Sequence, residues 1–65
     1  MNENNILTAE NATESMIKAL EGKTPCRDTM LLLSFYMDFA ISTELIELID
    51  EVHQITDSFY LEHFS

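Results

Sequence analysis

Sixty-five residues, a formal net charge of −9 and a single cysteine leave room for one domain, with no internal disulfide to brace it. Three Lys and Arg residues against twelve Asp and Glu argue against a chain that grips nucleic acid through phosphates or settles on anionic lipid. A hydrophobic share of 46% is that of an ordinary globular chain and not of a disordered one.

A chain this short buries only about 60% of its unfolded surface. With no disulfide and no Cys/His set at zinc-finger spacing, extra stability is expected from oligomerisation or from a larger partner.

The opening MNENNILTAE has neither a basic n-region nor a long apolar stretch, so no signal peptide is expected. Residues 1–7 read as a frayed end. The first helix is predicted over residues 9–21. Asn11 with Glu14 three residues on resembles a capping box, with Asn in place of Ser or Thr. Ala9, Ala12, Met16, Ile17 and Leu20 recur at three- and four-residue steps and make one face. Lys18 and Lys23 suit the negative end of the helix dipole.

Gly22-Lys23-Thr24-Pro25 holds the only glycine and the only proline. Glycine just past a helix end supplies a left-handed residue, and Thr24 before Pro25 reads as the cap and first residue of the next helix. That second helix, predicted over 25–41, contains MLLLSFYMDFAI, in which only Ser34 and Asp38 are not apolar. At about 100° per residue, Arg27, Ser34 and Asp38 share a stripe about 40° wide. A helix apolar nearly all round must be covered on most sides. Two neighbouring helices cover two sides, so a third surface is expected to remain for another chain. The run is too short to span a bilayer, which takes about 20 residues.

The third helix is predicted over 43–62. Leu45, Leu48, Val52, Ile55 and Phe59 alternate steps of three and four, as in a coiled-coil seam. Glu44, Glu47, Asp50, Glu51, Gln54, Asp57 and Ser58 lie opposite. In an unbroken rod that seam would fall on the azimuth of the Arg27–Ser34–Asp38 stripe. A break is therefore predicted near Ser42-Thr43, both good cap residues. Residues 63–65 read as frayed.

Glu44, Glu47 and Glu51 sit three and four apart, without interleaved lysines to offset their repulsion. They read as a solvated face or as an acidic docking face for a basic partner. In its strongest form such a face imitates DNA phosphates. Asp50, His53 and Asp57 are a partial metal set. A di-iron bundle needs Glu-x-x-His on two helices and carboxylates on two more, so no metal and no cofactor are expected. Cys26 falls in the first turn of the second helix beside Arg27, where a thiolate is favoured. The simpler expectation is a half-buried apolar residue. Ser34 and Asp38 have no histidine within sequence reach, and there is no phosphate loop or nucleophile elbow. No catalytic residue, and no enzyme, is predicted.

Together these patterns predict an all-α fold, a small helical hairpin or three-helix unit over residues 1–65. A homodimeric bundle is its default assembly, since two-fold dimers are the commonest. Leu32, Phe35, Tyr36, Phe39, Leu45, Val52 and Phe59 are the expected partner-binding or oligomer-interface residues, because aromatic and large apolar side chains anchor interfaces. Glu44, Glu47 and Glu51 are the expected charged rim. The functional expectation is a cytoplasmic, non-enzymatic regulator or adaptor that works through protein–protein contacts. Its partners would be itself and another protein, basic if charge steers the encounter. The alternative is a DNA mimic that inhibits a basic nucleic-acid-binding protein. One unpaired cysteine suits a reducing compartment. No known family motif covers enough of the chain to add to this.

Overall fold

In the computed structural model, which describes residues 7–64, three helices follow one another: α1 (Ala12–Leu20), α2 (Arg27–Thr43) and α3 (Ile46–Phe64). They form a three-helix all-α bundle, with no strand among the described residues. The three predicted helices are all present. Their ends differ from the predicted ends, and each difference has a local cause.

α1 begins at Ala12 rather than at residue 9, because the preceding residues close a turn of their own. The Thr8 N–H donates to Asn11 Oδ1 at 2.8 Å, and the Asn11 N–H reaches the Thr8 carbonyl and hydroxyl at 3.2 and 3.3 Å. Asn11 does hold the cap position, but its side chain makes no cap bond into the helix. The predicted capping box is therefore not formed. The helix ends as expected. Gly22 adopts φ +74, the left-handed conformation that an L residue with a Cβ enters only under strain, and the Lys23 N–H closes on the Leu20 carbonyl at 3.1 Å.

α2 starts at Arg27, two residues after Pro25, with Cys26 in the cap position and fully extended (φ −159, ψ 177). Thr24 serves this turn through its carbonyl, not as a side-chain cap. The Thr29 hydroxyl, only 2% exposed, donates to the Thr24 oxygen at 2.7 Å. A buried hydroxyl needs a partner, and this bond folds the Thr24–Cys26 segment over the first turn of the helix.

At the other end α2 runs two residues past its predicted stop. Ser42 and Thr43 do not cap the next helix. Their hydroxyls donate back to the Phe39 and Ala40 carbonyls, each at 2.6 Å, and the Thr43 hydroxyl also accepts the Leu45 N–H at 3.2 Å. Glu44 then takes a left-handed conformation (φ 61), and its N–H bonds the Ile41 carbonyl. The chain reverses over Glu44-Leu45, just beyond the predicted Ser42-Thr43 break. The Leu45 carbonyl accepts the first bond of α3, from the Ile49 N–H at 3.0 Å.

α3 continues to Phe64. His63 is held by its ring nitrogen on the Phe59 carbonyl at 3.0 Å and by ring contact with Phe59. The expectation of frayed ends covers residues 1–7 and 63–65; His63 and Phe64 are the last residues of α3, and 1–6 and 65 lie outside the described residues. Leu7 packs partly buried against the core.

Each helix gives three apolar residues to the core: Ala12, Met16 and Leu20; Leu33, Tyr36 and Ala40; Leu48, Val52 and Phe59. Two polar ties fix α1 across the other helices. Ser15 Oγ and Tyr36 Oη lie 2.7 Å apart, and Thr13 donates to Glu51 Oε1 at 2.9 Å. Because the two-residue reversal folds α3 back along α2, the start of α2 lies beside the end of α3, and that juxtaposition positions the site.

Candidate interaction surface

α2 buries only one side. Thr29, Leu33, Tyr36 and Ala40 face the core, and Leu32, Met37 and Phe39 are half-buried. Arg27, Ser34 and Asp38 are all exposed, as the predicted wet stripe requires. The stripe is not bordered by covered surface, however. At about 100° per residue, Met30 and Ile41 lie along one edge of it and Leu31 and Phe35 along the other. All four are more than half exposed.

α3 adds a second exposed apolar set. Ile46, Leu61 and Phe64 lie off the Leu48–Val52–Phe59 seam, on the outer side of the helix with Asp50 and Asp57, and each is at least 66% exposed. Where the C-terminal end of α3 passes the start of α2, the two sets meet in an open groove of about 710 Å³. Met30, Leu31 and Ser34 form one wall, Tyr60 and Phe64 the other, and Cys26 and Arg27 stand at its head. The Tyr60 and Phe64 rings stack at 5.7 Å with 14° between their planes. On the far side of that stack an adjoining depression is bounded by Leu61 and Asp57.

The seven residues expected to bind a partner divide into three groups. Phe35 and Leu45 are exposed. Leu32 and Phe39 are half-buried against the core of the same chain. Tyr36, Val52 and Phe59 are buried within it, and the Tyr36 hydroxyl is satisfied by Ser15. Those three hold the bundle together and are not available to another molecule in this fold. The accessible apolar surface instead comprises Ile17 of α1, Met30, Leu31, Phe35 and Ile41 of α2, Leu45 of the turn, and Ile46, Leu61 and Phe64 of α3. The α3 members carried a readable signal, since large apolar residues lie there outside the single seam that a helix needs for its own bundle.

The acidic set is also rearranged. Glu44 belongs to the turn and is not in a helical row with Glu47 and Glu51. Glu51 accepts the Thr13 hydroxyl and so joins α3 to α1. Of the partial metal set, His53 Nδ1 and Asp57 Oδ2 pair at 3.3 Å. Among the described residues no group of three or more His, Cys, Asp or Glu is placed to hold a metal ion.

Cys26 is exposed rather than half-buried. Its Sγ lies 3.3 Å from Thr29 Oγ1. Hydrogen bonding from the Thr29 side chain, and then from the Thr29 and Asp28 backbone, holds the thiol below its ordinary range, while desolvation and the Asp28 carboxylate push the other way.

Among the described residues no helix is long and apolar enough to cross a membrane. Compared with protein families, with characterised proteins and with solved structures, the chain has no match, so its function must be argued from this surface alone.

Proposed function

We propose that this chain is a small acidic regulator or adaptor that acts by docking onto other proteins and carries out no chemistry of its own. One observation carries the reading. Among the described residues, nine large apolar side chains are at least 49% exposed, as many as the apolar residues buried in the core. Apolar surface of this kind, flanking the polar stripe of α2 and meeting the end of α3 in the groove, is what contact sites present. The net charge of −9 keeps so apolar a surface in solution and steers it toward basic partners. The single exposed thiol suits the reducing cytoplasm. The chain is expected to pair with itself as well, because a second copy covers apolar surface at no cost in specificity.

The test is retention of a partner from native extract on the immobilised chain, at low and at high salt. Phe35→Asp places a charge on the exposed face of α2 and removes one edge-on ring contact with Tyr36, while leaving every buried side chain in place. It is expected to abolish retention, and added salt is expected to change retention little. The alternative reading is charge mimicry of DNA. It draws support from the run of eight acids with no Lys or Arg from Asp28 onward. It predicts the opposite result: retention indifferent to Phe35→Asp, lost in salt and competed away by nucleic acid.

A further inference from the structure

We infer that the platform made by Tyr60, Leu61 and Phe64 of α3 with Met30 and Leu31 of α2 is a two-fold contact surface for a second copy of this chain, in which Arg27 of each copy lies against Asp57 of the other. The inference rests on the proposed protein-contact function and gives its self-association a place and a register.

Area is the first argument. Met30, Leu31, Leu61 and Phe64 are each 56–69% exposed and adjoin the stacked Tyr60 ring. Their exposed side chains amount to on the order of 500 Å² per copy, against about 800 Å² per partner for a standard stable interface. That places the contact at the small end of specific interfaces, in keeping with a dimer that forms at micromolar concentration.

Charge is the second argument, and it selects this patch over the others. Two chains of net charge −9 repel almost everywhere. The exposed apolar residues around the α2–α3 turn, Ile41, Leu45 and Ile46, sit in a stretch that also carries Asp38, Glu44 and Glu47, so pairing there would bring acids together. The groove is different. Arg27, the last cation in the sequence, stands at its head, and Asp57 stands on the far side of the Tyr60–Phe64 stack. Among the described residues no carboxylate lies within ion-pair distance of Arg27, and the only basic side chain that close to Asp57 is His53, at 3.3 Å. A patch with a cation on one side of an apolar platform and an anion on the other complements itself under a two-fold rotation, the symmetry of an isologous dimer. Stack meets stack at the axis, and each Arg27 reaches the opposite Asp57.

Sedimentation equilibrium of the purified chain tests this. The wild type is expected to dimerise at micromolar concentration. Arg27→Asp and Asp57→Arg each turn two attractions into two repulsions, and each alone is expected to weaken the dimer about tenfold. Mixed in equal amounts, the two variants pair acid against base at both contacts and are expected to associate as tightly as the wild type. Phe64→Asp is expected to leave a monomer with unchanged far-ultraviolet circular dichroism, since that side chain is 69% exposed. A wild type that stays monomeric overturns the inference, as does a dimer indifferent to Phe64→Asp or a mixture of charge variants no tighter than its components. Partner retention by a chain shown to be monomeric overturns the inference alone and leaves the proposed function standing.

Discussion

At the scale of single residues, Thr29 carries more than its size suggests. It is the buried polar side chain of the bundle, and its hydroxyl has one proton. That proton goes to the Thr24 carbonyl, so a protonated Cys26 must donate to Thr29 Oγ1 rather than receive from it. When Cys26 ionises it can only accept, and the Thr29 hydroxyl favours the charged sulfur by turning its proton from the Thr24 carbonyl to Sγ; with the Thr29 and Asp28 N–H groups this keeps the pKa below that of an ordinary thiol. Thr29→Val keeps the shape and removes the hydroxyl. It should cost about 1–2 kcal/mol in a denaturant melt, the worth of the bond to Thr24. It should also raise the Cys26 pKa. At a fixed neutral pH less thiolate is then present, so alkylation slows, and the midpoint of the alkylation rate against pH moves upward. An unchanged midpoint would show that the Thr29 hydroxyl plays no part in setting it.

At the scale of elements, the α2–α3 joint departs furthest from expectation, and the departure comes from side-chain hydroxyls. Ser42 and Thr43 read as caps for α3, yet both lie in α2 and donate backward onto its carbonyls, and only the Thr43 hydroxyl also reaches forward, to the Leu45 N–H. The same residue types satisfy a helix end from either side, and spacing alone does not say which. The reversal that results forces Glu44 into a left-handed conformation that a residue with a Cβ enters at a cost of roughly 1–2 kcal/mol. Glu44→Gly removes that strain but loosens the unfolded chain. The net effect should be stabilisation by up to about 1 kcal/mol, read as a higher denaturation midpoint. Gly22 holds the comparable conformation at the end of α1 without penalty, which is why that joint was legible and this one was not.

At the scale of the whole molecule, the core is thin. A chain of this length is worth about 3–10 kcal/mol of folding free energy, and the three helices share nine buried apolar residues. Met16 is fully buried in the core that the three helices share. Met16→Ala should cost about 2–5 kcal/mol, enough to leave much of the purified chain unfolded at room temperature by circular dichroism. The contrast with Phe35→Asp is informative. That change alters an exposed side chain of similar hydrophobic character and should leave the melt nearly unmoved while removing partner contact. Among exposed and buried apolar residues alike, the question at this scale is which chain covers which side.

The sequence by itself determined that the chain is all-α, that it has three helices, that the first joint lies at Gly22–Pro25, and that Arg27, Ser34 and Asp38 share an exposed stripe. These follow from periodicity and from the backbone freedom of particular residues, which are local properties. It also showed that α2 is too apolar to be covered by one small chain. Only the tertiary structure decided which apolar residues stay within the chain. Tyr36, Val52 and Phe59 are drawn inside, whereas Met30, Leu31, Leu61 and Phe64 are left out, because burial depends on where neighbouring helices cross and not on hydrophobicity. It also decided that Arg27 and Asp57, thirty positions apart in the sequence, flank one apolar platform. The cause is the antiparallel return of α3 along α2 from a two-residue turn, a geometry that no local pattern encodes.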